Sequence, residues 1–341
     1  MKAHGRDPIW LIDTTLRDGE QSPGVAFSRG AKETIASMLA AAGIDELEVG
    51  TPAMGKTEQA DIRAIGRLNL SCRLTCWCRA RREDIEDAAK CDTGSIHISF
   101  PVSSILMSAM KKDESWVLAQ LRELLAFACN RFQYVSVGAQ DATRAELSFL
   151  KTFAAHAYLF GAYRMRIADT VGIATPFSIT AILKELLEAS SKMALEFHGH
   201  NDLGMATANA ICAAQAGADA LSVTVNGLGE RAGNAALEEV AMALALSGEN
   251  KCSIRSADLM PLCTYVAQAS QRPIPANKPI TGTLVFTHES GIHCNGMFKD
   301  PRTYEPFSGG LLGRSSEFVM GKHSGTALLR QVLKNGASYS F

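Results

Sequence analysis

Short apolar and β-branched segments recur along the chain, and longer segments with apolar residues at helical spacing separate them. The short segments predict eight β-strands, at 9–13, 46–50, 73–77, 95–101, 134–138, 165–169, 194–200 and 220–225. The longer segments predict helices that include 31–42, 116–129, 145–158, 179–190 and 207–216. Eight alternations of strand and helix with short connections predict an α/β fold, a (β/α)8 TIM barrel with a small C-terminal extension. An open doubly wound sheet is the alternative, but such a sheet usually has a glycine-rich phosphate turn after its first strand, where this chain has Arg17 and Asp18.

The pattern changes after residue 268, where a proline-rich connector at 272–279 is predicted to be extended. We therefore expect a catalytic barrel at 1–268, a linker and lid-like subdomain at 269–310, and a short helical C-terminal subdomain at 311–341. The chain ends soon after Leu333, so we expect this last subdomain to be incomplete. The tail is too small for a core of its own, and we expect it to pack on a barrel, its own or that of a partner in a homodimer.

Composition limits the classes of function. The 341 residues are 47% hydrophobic and 20% charged, which is typical of a soluble globular protein. A net charge of -1 argues against binding to nucleic acid or to an acidic membrane surface. The first residues do not resemble a signal peptide, and no segment reaches the roughly 20 apolar residues of a spanning helix. Nine cysteines without a Cys-x-x-Cys pair are typical of reduced thiols, so we expect a cytoplasmic protein.

A His-x-His pair lies at the end of the seventh predicted strand. Because His198 and His200 are two residues apart, both imidazoles leave the same face, and the pair favours a metal site over a structural role. In a closed barrel, strands 1 and 7 both border strand 8. Asp18, just past strand 1, can therefore add a carboxylate, and Asn234, after strand 8, can add an amide oxygen. This nitrogen and oxygen set without thiolate suits Mg²⁺, Mn²⁺, Co²⁺ or Zn²⁺ with open positions for a chelating substrate.

Other polar residues lie at the same predicted rim, where barrel enzymes have their active sites. Arg17 is either a surface ion-pair partner of Asp18 or a fixed cation that neutralises charge developing on a substrate oxygen. Gln21, Glu48 and Thr170 also fall at or just beyond strand ends. A histidine outside any cluster, such as His97 at strand 4, is more often structural, and the charged run at 79–84 is typical of a solvated helix start.

Four segments resemble the signatures of the α-isopropylmalate/homocitrate synthase family. They are LRDGEQ at 16–21, LEFHGHNDLG at 195–204, NGLGERAGN at 226–234 and THESGIH at 287–293. Three further segments are most similar to the nitrogen-fixation type of homocitrate synthase: CWCR at 76–79, FPVS at 100–103 and GKHSG at 321–325. The resemblance covers nearly the whole chain.

The resemblance implies a metal-dependent Claisen condensation of acetyl-CoA with 2-oxoglutarate. It implies metal ligands at Asp18, His198, His200 and Asn234, and stabilisation of the developing alkoxide by Arg17. Residues of the oxoacid pocket would be Gln21, Glu48 and Thr170. Positions proposed in the family for deprotonation of the acetyl group, which needs a positioned base, are Glu146, His288 and Tyr304.

The sequence departs from the family pattern at two strands. Homocitrate synthases of lysine biosynthesis have an arginine on strand 5 and a histidine on strand 3, where this chain has Ser136 or Val137 and Trp77. The distal carboxylate of 2-oxoglutarate therefore needs other partners, for which the candidates are Arg79, His97 and Arg144.

Three alternatives stay open. A 2-isopropylmalate or citramalate synthase would use the same chemistry on another 2-oxoacid. A metal-dependent carbon–carbon lyase would share the barrel, but the THESGIH segment at 287–293 argues against it. A non-catalytic metal or metabolite sensor would not need Arg17 together with the three metal-ligand candidates.

Overall fold

A computed structural model describes residues 8–189, 192–247 and 251–335 of the chain. Eight parallel strands form a closed barrel, in which each strand pairs with the next along the chain and the first also pairs with the eighth. The closure confirms the predicted (β/α)8 fold and excludes the open doubly wound sheet. The strands are β1 (Trp10–Asp13), β2 (Glu46–Gly50), β3 (Arg73–Arg79), β4 (Ser95–Pro101), β5 (Tyr134–Gln140), β6 (Arg164–Asp169), β7 (Ala194–Gly199) and β8 (Ala220–Val223).

The helices alternate with the strands and surround them. They are α1 (Arg29–Ala42), α2 (Lys56–Gly66), α3 (Arg82–Ala88), α4 (Ser104–Ala109), α5 (Glu114–Ala128), α6 (Leu147–Leu159), α7 (Pro176–Ala189), α8 (Ala206–Ala216), α9 (Leu237–Ser247) and α10 (Leu259–Ser270). Residues 1–7 of the predicted barrel, residue 190 of a predicted helix and residues 336–341 of the predicted C-terminal subdomain lie outside the described residues. The division into three parts stays a prediction.

Local signals in the sequence explain where α1 begins and ends. The Ser28 hydroxyl accepts a hydrogen bond from the backbone N–H of Ala31 at 3.2 Å, as an N-cap residue does. Gly43 ends the helix with a φ of 97°, a conformation that glycine adopts without strain. A Cβ atom at Gly43 would also clash with the carbonyl oxygen of Ser253. This turn sends the chain directly into β2, whose side chains contribute to the barrel interior.

Alternation along the strands separates an apolar outer layer from a polar interior. In β2, Leu47 and Val49 belong to the hydrophobic core cluster. Glu46 and Glu48, which alternate with them, form ion pairs with arginines of β6. Since β2 and β6 are not neighbours in the sheet, these ion pairs run through the inside of the barrel. The barrel therefore has a charged interior, which positions the site described below.

The connector after α10 packs on the barrel, and the tail beyond it has a few elements of its own. They are β9 (Thr287–His288), α11 (Gly291–Met297), β10 (Glu317–Phe318) and α12 (Thr326–Asn335), with β9 and β10 paired in parallel. Lys278, in the connector, forms ion pairs with Glu238 at 3.0 Å and Glu239 at 2.7 Å. Both partners lie on α9, so the connector is attached to the barrel of the same chain. Over the described residues, the structure has no helix with the length and apolar character needed to cross a bilayer.

Candidate active site

The C-terminal ends of two strands bring an aspartate and two histidines together. Asp18 follows β1, His198 lies in β7, and His200 comes directly after β7. Because β1 and β7 both pair with β8, residues separated by 180 positions in sequence meet at one rim of the barrel. Each of the three offers one ligand atom, and these atoms all lie within 4.8 Å of one another.

The distances within this cluster suit a divalent cation. The two Nε2 atoms of His198 and His200 are 3.3 Å apart, and Oδ2 of Asp18 is 3.6 Å from the first and 3.8 Å from the second. Ligand atoms have such separations around an ion whose bonds to nitrogen and oxygen measure about 2.0–2.2 Å. The three side chains therefore form a candidate divalent-metal site.

Two buried oxygens at this cluster have no hydrogen-bond partner among the described residues. They are Oδ2 of Asp18 and Oδ1 of Asn234. The backbone of Asn234 bridges to His200, and its Nδ2 donates to the carbonyl oxygen of Leu228 at 3.1 Å, which leaves Oδ1 unpartnered. Buried oxygens usually have a partner, so these two fit a cation that the donor set would bind.

Electrostatics favour the protonation states that metal ligands need. Burial opposes ionisation of Asp18, but the Arg17 guanidinium and then the two imidazoles hold the pKa of this carboxyl well below its usual range. Burial lowers the pKa of His200 and lowers that of His198 even further. At neutral pH the site therefore contains an ionised carboxylate and two neutral imidazoles, ready to bind a metal without losing a proton.

Arg17 lies beside this cluster and is almost fully buried. Its Nη1 donates to Oδ1 of Asp18 at 2.9 Å, and its Nε donates to Oε2 of Glu48 at 2.6 Å. Its Cζ lies 5.3 Å from the ring centroid of Trp77, within range of a cation–π contact. The ion pair with Asp18 is therefore part of the site interior and not a surface contact, which leaves a fixed positive charge next to the candidate metal ligands.

Six charged side chains of alternating sign continue from Arg17 down the inside of the barrel. Consecutive members are joined by ion pairs: Arg17 to Glu48, Glu48 to Arg166 at 2.9 Å, Arg166 to Glu196, Glu196 to Arg164 at 2.8 Å and Arg164 to Glu46 at 2.8 Å. Each of the six is at most 9% exposed. We call this set the charge column; its members are Arg17, Glu48, Arg166, Glu196, Arg164 and Glu46.

A cavity of about 460 Å³ opens beside Arg17. Arg17, Gln21, Trp77 and Arg79 contribute to its lining. Arg79 donates to the Asp84 carboxylate through Nε at 2.8 Å and Nη2 at 2.9 Å, while half of its side chain remains exposed. The cavity thus has one buried arginine and one exposed arginine. Its apolar lining comes from Leu16, Val25, Ala26, Ala53 and Met54.

The other candidates for substrate binding lie in different surroundings. His97 is buried inside the barrel, where its Nδ1 lies 2.9 Å from the hydroxyl of Ser136. Burial, and then the nearby Arg166, hold the pKa of His97 well below its usual value, so its imidazole is neutral. Arg144 forms a two-oxygen pair with Asp141 and does not contribute to the cavity beside Arg17. The Thr170 hydroxyl accepts a hydrogen bond from the Asp141 backbone at 2.8 Å.

The three residues predicted for acetyl deprotonation lie outside the metal cluster. Glu146 is exposed at the N-terminus of α6. Nε2 of His288 lies 3.4 Å from Oε1 of Glu305, and Tyr304 stacks on the ring of His293 at 4.0 Å. Within the described ranges, none of the three forms a hydrogen bond or ion pair with Asp18, His198 or His200. Their roles stay predictions.

Sequence reasoning missed two features that organise this rim. Arg166 and Glu196 lie in segments that the periodicity predicts to be apolar strands, and Arg164 directly precedes the first of these segments. The cost of burying charge marks all three as unusual. Arg231 donates to both carboxylate oxygens of Asp202, at 2.8 and 2.9 Å, and to the Thr170 carbonyl at 2.8 Å. This arginine links the segments that follow β6, β7 and β8.

Two family models match the chain. Residues 8–266 match the model described as HMGL-like, and residues 280–337 match the one described as homocitrate synthase post-HMGL domain-like. Among solved structures, the HMG-CoA lyase of Bacillus subtilis aligns with a TM-score of 0.71 and 18% identity, over 81% of this chain and 98% of that one. At this identity the match supports the fold alone.

Relatives with higher identity carry several names. The 2-isopropylmalate synthase 2 of Caldanaerobacter subterraneus subsp. tengcongensis is 46% identical over 94% of this chain and 84% of its own. The homocitrate synthase of Frankia alni is 43% identical over 96% of this chain and 93% of its own length. The 2-phosphonomethylmalate synthase of Streptomyces rubellomurinus is 40% identical over 96% of this chain and 88% of its own length. These matches confirm the predicted resemblance and the prediction of an acyltransferase enzyme. The names differ in the product that is synthesised, so they do not identify the substrate of this chain.

Proposed function

We propose that this chain, which belongs to the HMGL-like family, is a homocitrate synthase that condenses acetyl-CoA with 2-oxoglutarate and releases (R)-homocitrate and CoA. The observation that carries the proposal is the buried cluster of Arg17 with Asp18, His198 and His200 at the end of the barrel strands. Two neutral imidazoles, a carboxylate and a fixed guanidinium are suited to bind a chelating oxoacid and to stabilise negative charge on it.

Each side chain of the cluster has a proposed role. A divalent ion held by Asp18, His198, His200 and Asn234 would bind the carboxylate and keto oxygens of the oxoacid and polarise its keto group. Arg17 stabilises the alkoxide that forms when the acetyl methyl carbon attacks the keto carbon. Thr170, Gln21 and Glu48 are proposed to border the oxoacid, and thioester hydrolysis then releases CoA.

Removal of a proton from the acetyl methyl group needs a base, because a thioester α-carbon is a weak acid. We propose that Glu146, His288 and Tyr304 take part in this step. We further propose a homodimer in which the tail of one chain covers the metal cluster of the other. The exposed ring of Tyr304 and the exposed side chain of Ile292 support this arrangement, because both leave apolar surface available to a partner.

The lining of the cavity supports a dicarboxylate substrate. The distal carboxylate of 2-oxoglutarate needs a cationic or hydrogen-bonding partner in a site that excludes water. Arg79 lies on the same cavity as Arg17 and keeps half of its side chain exposed, whereas Arg144 is paired with Asp141 and lies elsewhere. We therefore propose Arg79, in preference to Arg144, as the partner of the distal carboxylate, and His97 as a neutral hydrogen-bond donor inside the barrel.

A 2-isopropylmalate synthase is the second candidate. The apolar part of the cavity lining favours it, since a branched apolar oxoacid needs no distal charge partner. The identity of 46% to a protein named 2-isopropylmalate synthase 2 also supports this candidate.

A panel of 2-oxoacids assayed with acetyl-CoA tests the proposal, with free thiol as the readout. We expect kcat/KM to be highest for 2-oxoglutarate, above 2-oxoisovalerate and pyruvate. Arg79→Met should lower kcat/KM for 2-oxoglutarate more than for 2-oxoisovalerate, and the matched variant Arg144→Met should leave this ratio unchanged. A wild-type preference for 2-oxoisovalerate would establish the second candidate, and thiol release with none of the oxoacids would reject both.

A further inference from the structure

Arg166 is a buried charge to which the proposed reaction assigns no role. It lies on β6, is 3% exposed and forms the middle of the charge column. Its register partner on β5 is Gly138, where the ring of His97 fills the space that a side chain would need, and its register partner on β7 is Glu196. The guanidinium reaches across the barrel to Glu48 on β2, while its Nε donates to Glu196.

Glu48 connects Arg166 to Arg17, and it gives one oxygen to each. Its Oε1 accepts from Nη2 of Arg166 at 2.9 Å, and its Oε2 accepts from Nε of Arg17 at 2.6 Å. A carboxylate and a guanidinium prefer a two-oxygen pair with two parallel hydrogen bonds. Arg17 does not have this pair, because Arg166 occupies the other oxygen of Glu48.

The division of Glu48 between two arginines determines where the Arg17 guanidinium points. With Oε1 free, Glu48 could rotate and bind Arg17 through both oxygens, which would draw the guanidinium down the barrel and away from Asp18. Nη1 of Arg17 donates a hydrogen bond to Oδ1 of Asp18 at 2.9 Å, and that contact keeps the guanidinium beside the candidate metal ligands. A small displacement of a charge-stabilising group has a large effect on rate, since its stabilisation depends on preorganised geometry.

We propose that Arg166 is a positioning residue for Arg17, acting through Glu48. By holding Oε1 of Glu48, Arg166 prevents the two-oxygen pair between Glu48 and Arg17 and keeps the Arg17 guanidinium at the metal cluster. The inference rests on the proposed role of Arg17 in the condensation. Lysine cannot replace Arg166 fully, because a single ammonium does not have the planar fork that binds Glu48 and Glu196 in fixed directions.

The test compares two charge-neutral double variants, each of which removes an arginine of β6 together with a glutamate bound to it, on β7 in the first variant and on β2 in the control. Arg166→Met with Glu196→Gln removes the contact to Glu48. The matched control, Arg164→Met with Glu46→Gln, removes an equally buried pair one layer further from the metal cluster and leaves both arginine contacts of Glu48 in place. We would measure kcat, KM for the oxoacid, Mn²⁺ affinity and thermal stability for each.

The first variant should lower kcat by about 10- to 100-fold, the range typical for the loss of a residue that orients a metal ligand, because Arg166 would orient Arg17 in the same way. Its KM for the oxoacid and its Mn²⁺ affinity should stay close to the wild-type values. The control should lose a comparable amount of thermal stability and keep its kcat. Equal losses of kcat in both variants would identify a merely structural role, and an unchanged kcat in the first variant would also overturn the proposal.

Arg166→Lys keeps the test decisive if the first variant does not fold. This variant retains the positive charge, so it should fold, bind Mn²⁺ normally and still show a kcat below wild type with little change in KM. Wild-type kcat in Arg166→Lys would contradict the proposal. A wild-type enzyme that releases no thiol with any oxoacid would instead reject the proposed function, and the positioning role would be rejected with it.

Discussion

A substitution of Asp13, at the end of β1, can measure the free-energy cost of ionising a carboxyl group that is buried in the barrel. The residue is 1% exposed, and both of its oxygens accept hydrogen bonds from Thr15, one from the backbone N–H at 2.9 Å and one from the hydroxyl at 3.0 Å. Burial, with smaller contributions from the carboxylates of Glu238 and Glu48, raises the pKa of Asp13 to about 7 against these hydrogen bonds. The folded state therefore favours the neutral acid.

The direction of the pH effect follows from this raised pKa. Because the folded protein binds the proton more tightly than the unfolded chain, stability from Asp13 is fully present below the unfolded pKa of about 3.9 and is lost as the pH rises through about 7. The loss amounts to roughly 1.4 kcal/mol per pH unit within that window. Asp13→Asn keeps the shape, can still accept from the Thr15 N–H and can donate to its hydroxyl, and it does not ionise.

We therefore expect the free energy of unfolding of Asp13→Asn, relative to that of the wild type, to rise by about 2–3 kcal/mol between about pH 5 and about pH 8. Urea unfolding at the two pH values, with a chelator present so that metal binding does not contribute, measures this difference. Asp169→Asn is the matched control: Asp169 is also buried, but it accepts from the backbone N–H groups of Ile173 and Ala174, and an amide nitrogen there would face a donor. The control should be destabilised at both pH values. A gap between Asp13→Asn and the wild type that does not change with pH would refute the reasoning.

Three further predictions concern the site. His200→Ala should abolish Mn²⁺ binding, measured by calorimetry, and keep the folded circular-dichroism spectrum, because the residue lies at the rim; full activity of a metal-free wild type would contradict the metal site. Arg17→Ala should lower kcat by about 10²–10³ with little change in the oxoacid KM, and a loss confined to KM would make Arg17 a binding residue. Mixed chains of inactive His288→Ala and inactive Asp18→Ala should regain partial activity if the tail covers the partner's barrel; verified heterodimers without activity would place the tail over its own barrel.

The strand pattern could be predicted closely from the sequence. All eight predicted strands end within two residues of the observed ones. The apolar residues that face the helices, such as Leu47 and Val49, alternate with interior residues and produce a recognisable period. The convergence of Asp18 with His198 and His200 could also be predicted, because closure of a barrel brings strands 1 and 7 next to strand 8.

The directions of individual side chains could not be predicted in the same way. Sequence position places Arg79 and Arg144 equally at the rim, and only the structure shows that Arg79 borders the cavity beside Arg17 while Arg144 turns to Asp141. Ser136 and Val137 were equivalent candidates for the strand-5 position. The structure places Ser136 against His97 inside the barrel and Val137 in the hydrophobic core cluster, because neighbouring residues of a strand face opposite sides.

The charge column could not be predicted from the hydrophobic periodicity, because it depends on partners that are far apart in sequence. Glu48 and Arg166 are separated by 118 positions, and neither has a local signal for the other. Their burial is tolerated because the three glutamates and three arginines of the column compensate one another, whereas a single unpaired member would be costly.

A column of this kind also supports the proposed role of Arg17, the stabilisation of a developing alkoxide. A guanidinium that must turn toward new charge during the reaction loses part of its effect to reorganisation. Arg17 is held by Asp18 on one side and by Glu48 on the other, and Glu48 is itself held by Arg166. The orientation of Arg17 is thus established when the barrel folds, so that in the proposed condensation its electrostatic stabilisation would be available at the moment of bond formation.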